Sequence, residues 1–251
     1  MAENSGIEWT THTFNPWIGC TKVSPACDNC YAEAWDNRFT KGARWGAKAD
    51  RTRTKTWGTP VKWNKQVALS GERPRVFCAS LADVFDNHKS ILPEWRSELW
   101  VLIKNTPNLD WLLLTKRPQN IAKMLPDDWG GGYPNVWLGT TAENQVEYDR
   151  RKPHLVAVPA VVHFLSMEPL IGAVDMGDMS GLDWVITGGE NGSNFRPADH
   201  DWFRSLRDQC AAADVPFLFK QYEGKNQREI KALGRALDGV VHDGYPSAIK
   251  A

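Results

Sequence analysis

The sequence predicts an α/β fold, a partial or closed (β/α) barrel of about 6–7 parallel strands, in a chain of 251 residues. Three observations predict it. Short apolar runs rich in Val, Phe, Leu and Trp recur along the chain, each bounded by Pro, Asp or Gly. Helix-like stretches fall between several of them, in units of roughly 20–35 residues. Almost every run ends in polar or reactive side chains, which is where parallel α/β folds place their chemistry. A doubly wound α/β sheet is the alternative for the same units. One domain over 1–251, with a basic, Trp-containing insertion at about 36–70, is the expected organisation.

The elements follow in order. "IEWTTHTFN" (7–15) is the first strand and runs into a loop holding Cys20, Cys27 and Cys30. "RVFCAS" (75–80) is the second, followed by Ser80 and Asp83. "LPEWRSELWVLIKNT" (92–106) has apolar residues near helical spacing. "DWLLLTK" (110–116) ends at Thr115, Lys116 and Arg117, and "NVWLGTT" (135–141) at Thr140, Thr141, Glu143 and Asn144. "VVHFLSMEP" (161–169) ends at Ser166 and Glu168, and "DWVITGGE" (183–190) at Thr187, Gly188, Gly189 and Glu190. "DHDWFRSLRDQCAAAD" (199–214) opens on an Asp suited to capping a helix and carries Cys210 on its buried side. "PFLFKQ" (216–221) closes the series at Lys220 and Gln221. Any one strand stops where the sequence turns polar; six or seven in a row favour one site at the strand ends.

Bulk composition narrows the function. The 42% hydrophobic content fills a sizeable core, and formal net charge is zero. No run of about 18 apolar residues exists, so no membrane span and no membrane partner are expected. "MAENSGIEW" lacks the regions of a signal peptide, which points to the reducing cytoplasm. Clustered cysteines there bind metal or do redox chemistry rather than form disulfides. Ser/His/Asp, P-loop and H-E-x-x-H patterns are absent, and Cys78 and Cys210 read as buried apolar residues.

The cysteine loop is C-x6-C-x2-C. A structural zinc site would need a fourth ligand, from Cys78 or one of the six His. His12 and His163, on predicted strands, read as packed residues. An iron–sulfur cluster on three cysteines instead leaves one iron open to another ligand. Thiolates need local positive charge and amide donors, which Lys22, Gly19 and the loop backbone can supply.

A three-cysteine loop after the first strand of an α/β barrel resembles the radical S-adenosylmethionine (SAM) superfamily. The common spacing there is C-x3-C-x2-C with an aromatic before the last cysteine; here the first gap is six, Asn29 precedes Cys30, and Tyr31 follows it. "FNPWIGCTKVSPACDNCYAE", "SLADVFD", "LLLTKRP", "LGTTAENQ", "FLSMEPLIG", "TGGENG" and "FLFKQ" together resemble the phage-associated three-cysteine-motif family, regarded as radical-SAM-like. The resemblance implies a [4Fe-4S] cluster on Cys20, Cys27 and Cys30, SAM on the open iron, and reductive cleavage to a 5′-deoxyadenosyl radical. It implies an electron donor such as flavodoxin or ferredoxin. It places Ser80 and Asp83 at the SAM amino group, and Thr140, Glu143, Asn144, Ser166 and Glu168 at its ribose and carboxylate. Gly188 and Gly189 would allow close backbone approach to the ligand, and Glu190 would bond a hydroxyl or amine. Tyr31, Lys116 and Arg117 are candidates beside the reacting centre.

Residues 41–65 carry eight basic residues against Asp50 alone, with Trp45, Trp57 and Trp63 interleaved. Arg44, Lys48, Arg51, Arg53, Lys55 and Trp57 are the expected nucleic-acid contacts, cations on phosphates and rings on bases. Lys116 and Arg117 could extend the patch. The bland alternative is a solvated basic loop. DNA base modification or lesion repair on a flipped or single-stranded base would suit a hydrogen-abstracting radical. A zinc-stabilised nucleic-acid-binding module without catalysis, and radical chemistry on a peptide or small metabolite, are the alternatives.

Overall fold

Seven strands form one parallel sheet in the order β1-β4-β5-β6-β7-β8-β9. The order follows the chain without a reversal. A doubly wound sheet needs that reversal, so the fold is a partial (β/α) barrel. The computed structural model describes residues 2–246, and the chain divides into two compact units.

The first unit comprises the chain up to Lys22, then Ala32–Leu138 and Val158–Val161. It holds β1 (His12–Phe14), β2 (Trp17–Ile18), most of α1 (Tyr31–Thr40), β3 (Thr52–Arg53), α2 (Thr59–Val67), β4 (Arg75–Cys78), α3 (Pro93–Lys104), β5 (Asp110–Thr115) and α4 (Ile121–Met124). The first strand is shorter than the predicted 7–15. The chain turns first, the Thr10 amide donating to the Ile7 carbonyl at 3.1 Å, and pairs with β4 only from His12. The predicted insertion contains α2 and β3, and β3 pairs antiparallel with β2. α3 shows why its sequence is helical. Pro93 and Glu94 open it, Lys104 lies in its last turn, and Leu99, Trp100, Leu102 and Ile103 are buried. Each full burial of such a side chain stabilises by about 1.5–3 kcal/mol. Trp17, Trp63, Trp111, Phe14 and Phe85 fill the core, with the Phe14 ring edge-on to Trp111 at 5.7 Å.

The second unit comprises Val23–Tyr31, Gly139–Ala157 and the chain from Val162. Here lie the second half of β6 (Val136–Thr141), α5 (Gln145–Val156), β7 (Val162–Met167), β8 (Trp184–Gly188), α6 (His200–Ala212), β9 (Phe217–Gln221), α7 (Gln227–Leu233), β10 (Ala236–Leu237) and β11 (Val240–Val241). The parallel strands β7, β8 and β9 are buried along nearly their whole length, which is why they read as continuous apolar runs. Asp199 caps α6 as predicted, accepting from the Asp201 amide at 3.0 Å, and Cys210 is buried. Among the described residues no helix is long and apolar enough to cross a membrane.

Candidate functional site

Within the first unit the site begins at the exit of β2. Gly19 has φ +117°, and a Cβ there would lie 2.4 Å from the Arg44 carbonyl, so only glycine fits. Its amide donates to the Leu81 carbonyl at 3.0 Å, and the next carbonyl, that of Cys20, accepts from the Gly46 amide at 2.8 Å. The Cys20 thiol receives Arg117 Nη1 at 3.6 Å. The same nitrogen reaches Asp83 at 2.9 Å, and Arg117 Nη2 reaches the Thr21 carbonyl at 2.8 Å. Asp83 also accepts from Thr115 Oγ1 at 2.7 Å and from the Phe85 and Lys116 amides. Burial outweighs the pull of Arg117, which Asp83 and Asp86 oppose, and leaves the Cys20 thiol raised to about 11. The cation beside Cys20 is therefore Arg117, while Lys22 pairs with Glu33.

Arg51 corrects the expected phosphate patch. It is buried and ion-paired with Asp86, and its Nη1 bonds the Gly46 and Ala49 carbonyls at 2.9 and 2.7 Å. It fastens the 44–49 loop instead of facing solvent. Arg44 is held by Asp36 at 2.6 Å, and Arg53 is paired with Glu98 and lies over Trp57. Trp63 is core, its ring 4.2 Å from that of His12. Lys48 and Lys55 are exposed, Trp57 is half-buried, and Arg117 is buried, so it does not extend a basic surface.

Cys27 and Cys30 belong to the second unit, on a stretch gripped from two strand ends. Past β6, Glu143 accepts the Ala26 amide at 3.0 Å and Arg151 Nη1 at 2.8 Å. Past β8, Glu190 accepts Asn29 Nδ2 at 3.0 Å and the Arg196 amide and Nε at 2.8 and 2.9 Å. Arg196 in turn donates to the Pro25 carbonyl at 2.9 Å and to Asp28 at 3.3 Å. Burial works against both carboxylates, but Arg151 with the Ala26 amide, and Arg196 with Asn29, outweigh it and hold both below the usual range. The stretch is thus held at Pro25, Ala26, Asp28 and Asn29. None of these bonds uses the Cys27 or Cys30 thiol.

The other strand-end residues divide. Asn144 caps α5 by accepting the Glu147 amide at 3.0 Å. Gly189 is glycine because a Cβ would lie 2.2 Å from the Glu223 amide nitrogen; it admits neighbouring chain, not a ligand. Gly188 sits at the register shift between β8 and β9. Asp83, Glu143 and Glu190, expected to meet SAM, each have protein partners. Ser80 is half-buried and takes Asn15 Nδ2 at 3.0 Å. Glu168 is half-buried and paired with Lys220. Thr140 and Ser166 are buried, and Tyr31 is exposed at the start of α1. The residues that sequence reasoning missed are Asn15, Asn29, Asp86, Arg151 and Arg196. Only Arg151 carries a local signal, one helical turn beyond Glu147 on α5.

Among the described residues no group of three or more His, Cys, Asp and Glu side chains is gathered as a metal site. All five cysteines are free, and the three of the loop are a soft donor set with a guanidinium on Cys20. Fourth ligands for zinc fit less well: Cys78 is fully buried in β4, where burial pushes its thiol far up, and His12 stacks on Trp63. Residues 4–246 match the family model described as "Protein of unknown function (DUF5131)". No curated protein and no solved structure matches the chain.

Proposed function

This chain belongs to the DUF5131 family of proteins of unknown function, and on that footing we propose that it is a radical SAM enzyme acting on nucleic acid, with a [4Fe-4S] cluster on Cys20, Cys27 and Cys30. The observation that carries the reading is the way the cysteine stretch is held. Its fixed contacts run through backbone and side chains flanking Cys27 and Cys30, which leaves those thiols for ligation. When bound, and reduced by a donor such as flavodoxin or ferredoxin, the cluster and SAM supply a 5′-deoxyadenosyl radical that abstracts hydrogen.

The chain's own residues have separable tasks. Arg117 favours the thiolate of Cys20, the form that ligates metal. Glu143 with Arg151, and Glu190 with Arg196, fix the stretch around Cys27 and Cys30. Glu168, just past β7, and Lys220, in β9, form an ion pair whose two signs are the complement of an amino-acid zwitterion such as the methionyl part of SAM. Ser80 adds a hydroxyl at the end of β4. The phage setting implied by the sequence resemblance suits DNA base modification or lesion repair.

Anaerobic reconstitution with iron and sulfide tests this. We expect a brown protein that cleaves SAM to 5′-deoxyadenosine under reduction, and a colourless Cys27→Ala/Cys30→Ala variant. A wild-type protein that stays colourless and takes up only zinc would overturn the reading in favour of a zinc-stabilised binding module. SAM cleavage without retention of nucleic acid at any salt concentration would move the substrate to a peptide or metabolite.

A further inference from the structure

The helix that begins one residue after Cys30 has two unlike stripes. Ala32 and Asp36 are buried. Tyr31, Trp35 and Phe39, also spaced by four, are exposed at 55, 36 and 61%. Positions i, i+4 and i+8 lie along one face of a helix. The Trp35 and Phe39 rings are 4.8 Å apart between centroids, tilted by 44°. A guanidinium sits over each: Arg38 over Phe39 at 5.6 Å and Arg44 over Trp35 at 5.5 Å. Arg44 is fixed there by the buried Asp36. Lys41, at the end of the helix, and Lys48, on the loop that Arg51 fastens, are exposed and form no ion pair among the described residues.

One exposed aromatic is ordinary. Adjacent rings on one stripe, crowned by cations, form a patch with a chemistry. Flat π-faces take bases and neighbouring cations take phosphates. A duplex hides its base faces, and a purely apolar partner would have to bury the arginines and lysines. We propose that the Tyr31–Trp35–Phe39 face of α1, with Arg38, Lys41, Arg44 and Lys48, is a stacking platform for single-stranded nucleic acid. This rests on the nucleic-acid half of the reading above and not on its cluster. It takes the place of Trp45, Trp57 and Trp63, the interleaved rings of 41–65, as where bases stack.

The test is fluorescence anisotropy with a labelled oligothymidylate of about 20 nucleotides, against a duplex of the same length. Wild type is expected to bind the single strand more tightly than the duplex, with affinity falling as salt rises. Trp35→Ala/Phe39→Ala is expected to weaken binding on the order of tenfold or more. Arg38→Ala/Lys41→Ala, which leaves both rings in place, is expected to flatten the salt dependence. Thermal melts of each variant separate loss of the platform from loss of the fold. Undetectable wild-type binding, preference for the duplex, or unchanged affinity in both variants would overturn the proposal. So would a ring variant whose only change is lost self-association, since the face would then be an interface between copies. A colourless protein that binds oligothymidylate through Trp35 and Phe39 would retire the cluster and keep the platform. A SAM-cleaving protein indifferent to oligonucleotides would do the reverse.

Discussion

Glu143 and Arg151 form a pair almost wholly out of water, 0 and 1% exposed; removing Arg151 strands the buried Glu143 carboxylate, whereas removing Glu143 leaves Arg151 paired with Glu147. Arg151→Ala is expected to cost about 3–5 kcal/mol in urea denaturation. Asp238→Ala also loses contacts to two arginines, but at an exposed site, and the midpoint is expected to stay nearly unchanged. The pair also sets a pH dependence together with Glu190. Both carboxylates bind protons less readily in the native chain than in the unfolded one, so their contribution is present above about pH 4.3 and is lost as pH falls through their lowered native values. The wild-type urea midpoint should drop across that acid range, and a Glu143→Gln/Glu190→Gln double variant should show a shallower drop. At this scale the sequence was half legible. Glu143 and Glu190 stood out as polar residues at the ends of apolar runs. Their duties did not, because Asn29 lies 161 positions from Glu190 and no local pattern links them. Arg51 and Arg117 misled for the same reason: a buried arginine and a solvent-facing one are the same letter, and only Asp86 and Asp83, brought in by the fold, distinguish them.

The buried strands announced themselves as elements. A parallel strand covered on both faces is apolar throughout, and β4 to β9 all fall inside their predicted runs. β1 was over-extended because Glu8 to Thr11 look like strand by composition while the backbone is turning. The basic stretch failed differently. Counting charges and tryptophans over 41–65 took in α2, whose Trp63 is core, and left out α1, whose Trp35 and Phe39 lie outside. The spacing 31, 35, 39 was the signal that could have found it. The link between elements at Cys20 is also testable. Gly19→Ala would force a side chain into positive φ and against the Arg44 carbonyl, with an expected cost of about 1–3 kcal/mol. Faster proteolysis within 40–50 should accompany it. Gly131→Ala, with ordinary φ and open space around it, should melt with the wild type.

For the whole molecule, the strand order was legible and the division of the chain was not. Strand order follows from units that simply repeat, whereas the two units cut across them, and Val23–Tyr31 belongs with residues beyond Gly139. Because the clamp on that stretch uses no Cys27 or Cys30 thiol, the fold should not depend on metal. A Cys20→Ala/Cys27→Ala/Cys30→Ala variant is expected to melt within a few degrees of the metal-free wild type, roughly the shift that 1 kcal/mol produces at this size. A triple variant with no cooperative melt would instead make the metal a folding staple. The same division has a consequence during synthesis. Cys20, Cys27 and Cys30 leave the ribosome well before Arg196, which is joined to Asp28 across 168 positions. At about 5–20 residues per second, that leaves on the order of 10–30 s in which the three thiols are out and their clamp has not been made. Any delivery of iron during translation meets a flexible chelating peptide, and delivery afterwards meets a shaped loop; a pulse of iron timed against translation would tell which route the chain uses.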